Sequence, residues 1–178
     1  MFSQRQHAKL ARPAENGQKQ SFDSVNDGTA ITNRSISQRD FCMDSLSALG
    51  IAAANQDCDQ LRDSVNAVKR DFAAAPLLAL ILLEDWHDSH EDIVFELGLI
   101  GNPSVVGAIV RAATTQFQSL VEWGNLHEFQ RKCAYALARI GTDESRIALE
   151  KMVLSEHPYL RQVGQEGLDH WPMPYTGQ

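Results

Sequence analysis

The chain has 178 residues, with 16 Lys and Arg against 23 Asp and Glu and a formal net charge of −7. That length suits one domain with a core of its own, and the hydrophobic fraction of 43% falls just under the usual range of about 45–50%. The longest apolar run, Ala73 to Leu83, stops at Glu84, well short of the roughly 18 residues a membrane-spanning helix requires.

Polar residues fill the N-terminus, MFSQRQHAKLARPAENGQ, and no apolar signal segment is present. Cys42, Cys58 and Cys133 form no metal-ligand spacing. An odd count without a signal peptide points to reduced thiols in a cytoplasm. Charge is spread unevenly. No Lys or Arg lies between Arg70 and Arg111, and that interval holds Asp71, Glu84, Asp85, Asp88, Glu91, Asp92 and Glu96. Its net charge therefore equals that of the whole chain, and the rest is balanced. Such a field repels nucleic acid backbones and attracts basic partners.

Residues 1–36 are rich in Gln, Ser, Asn and Arg without periodicity, which predicts a disordered, mildly basic tail. The folded domain is expected over 37–178. Cys42, Leu46 and Leu49 repeat at helical spacing, and Ile51 to Ala54 can extend that helix past Gly50. Leu61, Val65, Val68 and Phe72 mark an amphipathic helix of three turns. Pro76 fits the first turn of the next helix, and Leu77 to Leu83, apolar all round, reads as central and buried on most sides. Asp85 to His90 is a polar connector.

The following helix should bury Ile93, Leu97 and Ile100, with Gly101 left-handed at its end, Asn102 as the next cap and Pro103 in the first turn. Val105, Val106, Ile109, Val110 and Ala113 form the next stripe. Thr114 to Asn125 looks like an insertion, ordered by Phe117, Leu120, Val121 and Trp123 as a helix extension or packed loop. Phe129, Cys133, Leu137 and Ile140 then face inward, Thr142 caps the partner helix with Asp143 and Glu144 in its first turn, and Ile147, Met152 and Val153 pack. A last helix opens at Pro158 and stops before Pro172, with Trp171 covering the end.

Two of these runs match at a step of 40 positions. Leu97 aligns with Leu137, Gly98 with Ala138, Ile100-Gly101 with Ile140-Gly141 and Phe95 with Tyr135. HPYLRQVGQEGL from His157 begins a third copy. The segments ELGLIGNPSVVGAIV and ALARIGTDESRIALEKMV resemble the HEAT family, in particular the short bacterial HEAT-like repeats also found in phycobilin lyases. The resemblance spans residues 88–171 and implies an all-α fold, a short right-handed α-solenoid of seven or eight helices in hairpins. Such folds are binding surfaces, with no chemistry by default.

Asp85-Trp-His-Asp-Ser-His-Glu-Asp92 is the densest polar constellation. His90-Glu91 and His127-Glu128 each open a helix, which resembles the His-Glu pairs of deoxyhypusine hydroxylase, a HEAT-type di-iron enzyme. That resemblance implies metal ligands at His90, Glu91, His127 and Glu128, and His87, in the same cluster, is of a residue type that suits zinc or iron. His90 lies seven residues before Leu97 but His127 ten before Leu137, so the pairs point differently. The plainer reading is exposed histidines at acidic helix N-termini, where carboxylates meet the helix dipole. Arg131, Lys132, Arg139, Arg146 and Lys151, compensated by Glu144 and Glu150, read as a solvated face rather than a nucleic-acid groove. No nucleophile elbow, phosphate loop or dinucleotide turn occurs.

The sequence therefore points to a non-catalytic protein-binding module without a cofactor, a monomer or partner-bound heteromer. Its basic partner is expected at Glu84, Asp85, Trp86, Asp88, Glu91, Asp92, Trp123 and His127. A bacterial immunity protein that plugs a basic toxin is a specific form of this reading; a metal-dependent HEAT enzyme and a bilin chaperone are the alternatives.

Overall fold

The computed structural model describes residues 36–173, with side chains from Ser45 onward. The expected tail and the side chain of Cys42 lie outside the described residues. Among these, the chain is all-α, with nine α-helices and two 3-10 turns and no strand.

Helix α1 (Ile36–Asn55) runs through Gly50, as the apolar extension allows, and packs on α2 (Cys58–Ala67). Asp57 caps α2 by accepting from the Gln60 N–H at 3.0 Å. Leu61, Val65 and Val68 are buried, but Phe72 is 59% exposed, contrary to the expected three-turn stripe. The helix ends early because Lys69 and Arg70 take positive φ, 46° and 66°. The Arg70 N–H donates to the Glu96 carboxylate, and Asp71 caps the 3-10 turn Phe72–Ala74.

Helix α3 (Ala75–Ile81) carries Pro76 in its first turn. It buries Leu78 and Ile81, with Leu82 just beyond, and leaves Leu80 67% exposed. Leu77, Ala79 and Leu83 are half-buried against the core, so the apolar run is covered on most sides, as read, with Leu80 the exception.

Helices α4 (His90–Ile100) and α7 (Leu126–Ile140) pack directly on each other. Ile93 and Leu97 on α4 and Phe129, Cys133 and Leu137 on α7 are wholly buried, whereas Ile100 is half-buried. Both helices end on a left-handed glycine, Gly101 at φ 69° and Gly141 at φ 68°, a conformation that penalises a Cβ. Next comes a capping side chain in each case. Asn102 caps the 3-10 turn Pro103–Val105 that leads into α5 (Val106–Thr114), and Thr142 caps α8 (Asp143–Val153) in a reciprocal box with Ser145. The α5 stripe holds, with Val110 half-buried. On α8, Ile147 is 49% exposed and Ala148, Leu149 and Met152 are buried in its stead.

The expected insertion is a short helix, α6 (Gln118–Glu122), which raises the count beyond seven or eight. Helix α9 (Pro158–His170) begins and ends as read from its prolines and packs on α7 and α8. Trp171 follows it, donates from Nε1 to Ser145 Oγ at 3.3 Å and lies under the Arg146 guanidinium.

Close helix contact rests on small residues. A Cβ at Gly98 would lie 2.9 Å from Ala136 Cα, and one at Gly164 would lie 2.8 Å from Met152 Cβ and 2.9 Å from the Val153 nitrogen. Gly50, also helical, has nothing within 4 Å. Gly50→Ala should therefore stabilise by about 0.5–1 kcal/mol through helix propensity. Gly164→Ala should destabilise by about 1–3 kcal/mol, since overpacking against backbone outweighs propensity. Urea unfolding of the two variants checks this, and the same sign for both would contradict the packing.

Candidate partner-binding clefts

The connector between α3 and α4 is held from inside by two histidines. His87 is 3% and His90 0% exposed, so the expectation of surface histidines is overturned for these two, while His127 is exposed as expected. His87 Nε2 donates to the Ile81 carbonyl at 2.8 Å, because its Nδ1 is already accepting from the Ser89 N–H at 3.2 Å. His90 Nε2 donates to the Glu84 carbonyl at 2.9 Å, and its Nδ1 is buried with no partner. Both rings are therefore neutral Nε2–H tautomers. They stack at 4.2 Å, and the edge of Trp86 meets His87 at 4.9 Å. Phe117, from the segment before α6, covers His90 at 3.9 Å, and Phe129 meets both rings edge-on. Burial depresses the pKa of both histidines, bringing His90 down to about 4 with help from the His87 charge.

On the outer side, this connector lines two adjoining clefts. One, of about 270 Å³, has Cys58, Asp85, Trp86, His87, Asp88 and Glu122 in its walls. The other, of about 200 Å³, has Asp88, Glu91, Asp92, Trp123 and Asn125. Asp88 and Ser119 belong to both, and the Ser119 hydroxyl is buried without a partner. Each cleft thus joins carboxylates to one tryptophan. Trp86 is half-buried, its carbonyl accepting from Cys58 Sγ at 3.4 Å, while Trp123 is 79% exposed.

Six of the eight sequence-predicted residues meet here. Glu84 is exposed but lines neither cleft, and His127 stacks on Tyr159 at 4.0 Å, beside a shallow hollow with Leu120 and Leu126. Nor is the acidic interval bare. Arg62 binds both oxygens of Asp88 at 3.2 and 3.1 Å, Lys132 binds Glu91 at 2.7 Å, and Asp85 accepts from the Gln118 N–H at 3.2 Å. At the surface such pairs contribute little stability, and a partner's cation can replace them.

The five residues read as metal ligands are not brought together. His87 and His90 spend Nε2 on backbone carbonyls, Glu91 is bound by Lys132, His127 lies against Tyr159, and Glu128 pairs with Arg131 at 3.0 Å. Among the described residues no group of three or more His, Cys, Asp or Glu is placed to hold a metal ion. Burial pushes the Cys133 thiol up, away from the thiolate a nucleophile needs. No helix among the described residues is long and apolar enough to cross a membrane.

Cys58, Ser119 and Glu122 are cleft residues that sequence reading missed. For α6 the signal was present in Phe117 and Leu120, one helical turn apart and both buried, which sets Glu122 on the other face.

No family model, curated protein or solved structure matches this chain.

Proposed function

We propose that this protein is a non-catalytic binding module that takes basic side chains of a protein partner in the two clefts. The observation that carries this is the pairing, in each cleft, of carboxylates with a tryptophan: Asp85, Asp88 and Glu122 with Trp86, and Asp88, Glu91 and Asp92 with Trp123. A cationic side chain gains from both, charge from the carboxylates and the ring face through cation–π attraction. The acidic field speeds encounter, and an exposed Trp beside it provides an anchor. The framework we infer is a short right-handed α-solenoid of HEAT-like hairpins. The matched ends of α4 and α7, left-handed glycine followed by a capping side chain, support α4–α5 and α7–α8 as equivalent units.

The test is capture from the lysate of the native cell, comparing wild type with Asp85→Asn/Asp88→Asn/Asp92→Asn. These side chains are on the surface, so the fold should survive, as far-UV circular dichroism would report. A basic protein retained by wild type and lost by the triple variant is expected, with affinity falling about tenfold or more and weakening as salt rises. Equal recovery by both proteins would sink the reading.

A further inference from the structure

A third concavity, of about 220 Å³, lies between α4 and α7 and has the opposite character. Phe95, Glu128, Arg131, Lys132, Tyr135 and Arg139 line it, three cations against one carboxylate on a chain of net charge −7. Its cations are not equally engaged. Arg131 is held by Glu128 and Glu166, both at 3.0 Å, and Lys132 by Glu91 at 2.7 Å. Arg139 instead places its guanidinium 5.0 Å over the Phe95 ring, and no carboxylate pairs with it among the described residues. Phe95 is itself 46% exposed.

The stack fixes one face of the guanidinium and leaves its N–H edges to a ligand, in the fork geometry that suits a carboxylate. The rings of Phe95 and Tyr135 give the groove an apolar lining. Its volume falls below the roughly 300 Å³ at which small-molecule and cofactor sites begin, and suits one anchoring side chain of a polypeptide. With Arg131 and Lys132 offset by their carboxylates, Arg139 is the cation left for a partner, and it attracts an acidic segment and disfavours a basic one, so the partner of this surface is not that of the acidic clefts.

We propose that this groove docks an acidic segment of a protein partner. One apolar side chain lies against Phe95 and Tyr135, and a carboxylate from a neighbouring residue binds Arg139. The inference does not rest on the clefts being occupied.

The probe is a fluorescein-labelled peptide, Asp-Glu-Glu-Phe-Glu-Asp, titrated with the full chain and followed by polarisation. Binding is expected, weakening with salt, and about tenfold weaker or more for Arg139→Glu and for the peptide with Ala in place of Phe. Phe95→Ser, a change at a half-exposed site, should weaken it as well and guards against a folding defect in the charge reversal. Gln165→Ala, an exposed neutral site on α9 away from the groove and the clefts, should leave binding unchanged. No binding of the acidic peptide, equal binding by Arg139→Glu and Phe95→Ser, or equal binding of a peptide with Lys in place of its acids would overturn the proposal.

Discussion

Replacing Phe117 with alanine should lower the unfolding free energy by about 3–5 kcal/mol, the cost of deleting a buried aromatic whose site cannot fully collapse. Phe117 is 2% exposed, and its ring packs on His90 at 3.9 Å and edge-on against Phe129 at 5.8 Å. Its removal opens a cavity against two rings that are themselves fixed by other contacts. For a chain of this size about 2–4 °C of melting temperature accompanies each kcal/mol, so a fall of roughly 6–20 °C is expected in thermal denaturation followed by circular dichroism. Phe117→Leu should recover part of it. The contrast is Trp123→Ala, six residues on and 79% exposed, which should stay within about 0.5 kcal/mol of wild type. A Phe117→Ala variant as stable as wild type would mean that the segment between α5 and α7 is an appendage and that nothing covers the histidines.

That segment also marks where sequence reading stopped. Local chemistry was legible. The left-handed end at Gly101, the glycine end at Gly141, the caps at Asn102 and Thr142 and the start of α9 at Pro158 each depend on a few adjacent residues, and each stands where it was read. The clefts were legible in part, because carboxylates and tryptophans are recognisable wherever they sit. What failed depends on distant partners. Phe72 leaves the core because Glu96, on α4, holds the Arg70 N–H and helps end α2. His87 and His90 looked like surface residues because their neighbours are charged, yet Phe117 and Phe129 close over His90 from segments far along the chain. Gly98 was aligned with Ala138 as a small residue in a repeat. The approach of Ala136 that forbids a larger one is a property of the packed pair.

The two histidines set the second large effect, a loss of stability on acidification well above the ordinary carboxylate range. His90 has a folded pKa of about 4 against an ordinary value of 6.5. The unfolded chain therefore binds a proton first, and stability falls as pH drops. The contribution is fully present above pH 6.5 and is gone near pH 4. At about 1.4 kcal/mol per unit the total is about 3 kcal/mol, of which about 2 kcal/mol is lost by pH 5. His87, lowered for the same reason, acts in the same direction. Glu84, Asp85 and Asp88 pull the other way, but burial outweighs them. The geometry says why protonation in place is costly for both rings. At His90 the new Nδ1–H would be buried without an acceptor, beside the His87 ring at 4.2 Å. At His87 it would face the Ser89 N–H, donor against donor. Urea unfolding at pH 7 and pH 5 measures the loss. His90→Phe should be less stable at pH 7, by about 1–3 kcal/mol for the abandoned Glu84 carbonyl, yet lose distinctly less between the two pH values. Parallel pH profiles for wild type and His90→Phe would show that the proton is taken up elsewhere. If the profiles diverge as expected, the first part of the molecule to loosen in acid should be the connector that carries Asp85, Trp86 and Asp88, because His87 and His90 are what pin its backbone at Ile81 and Glu84.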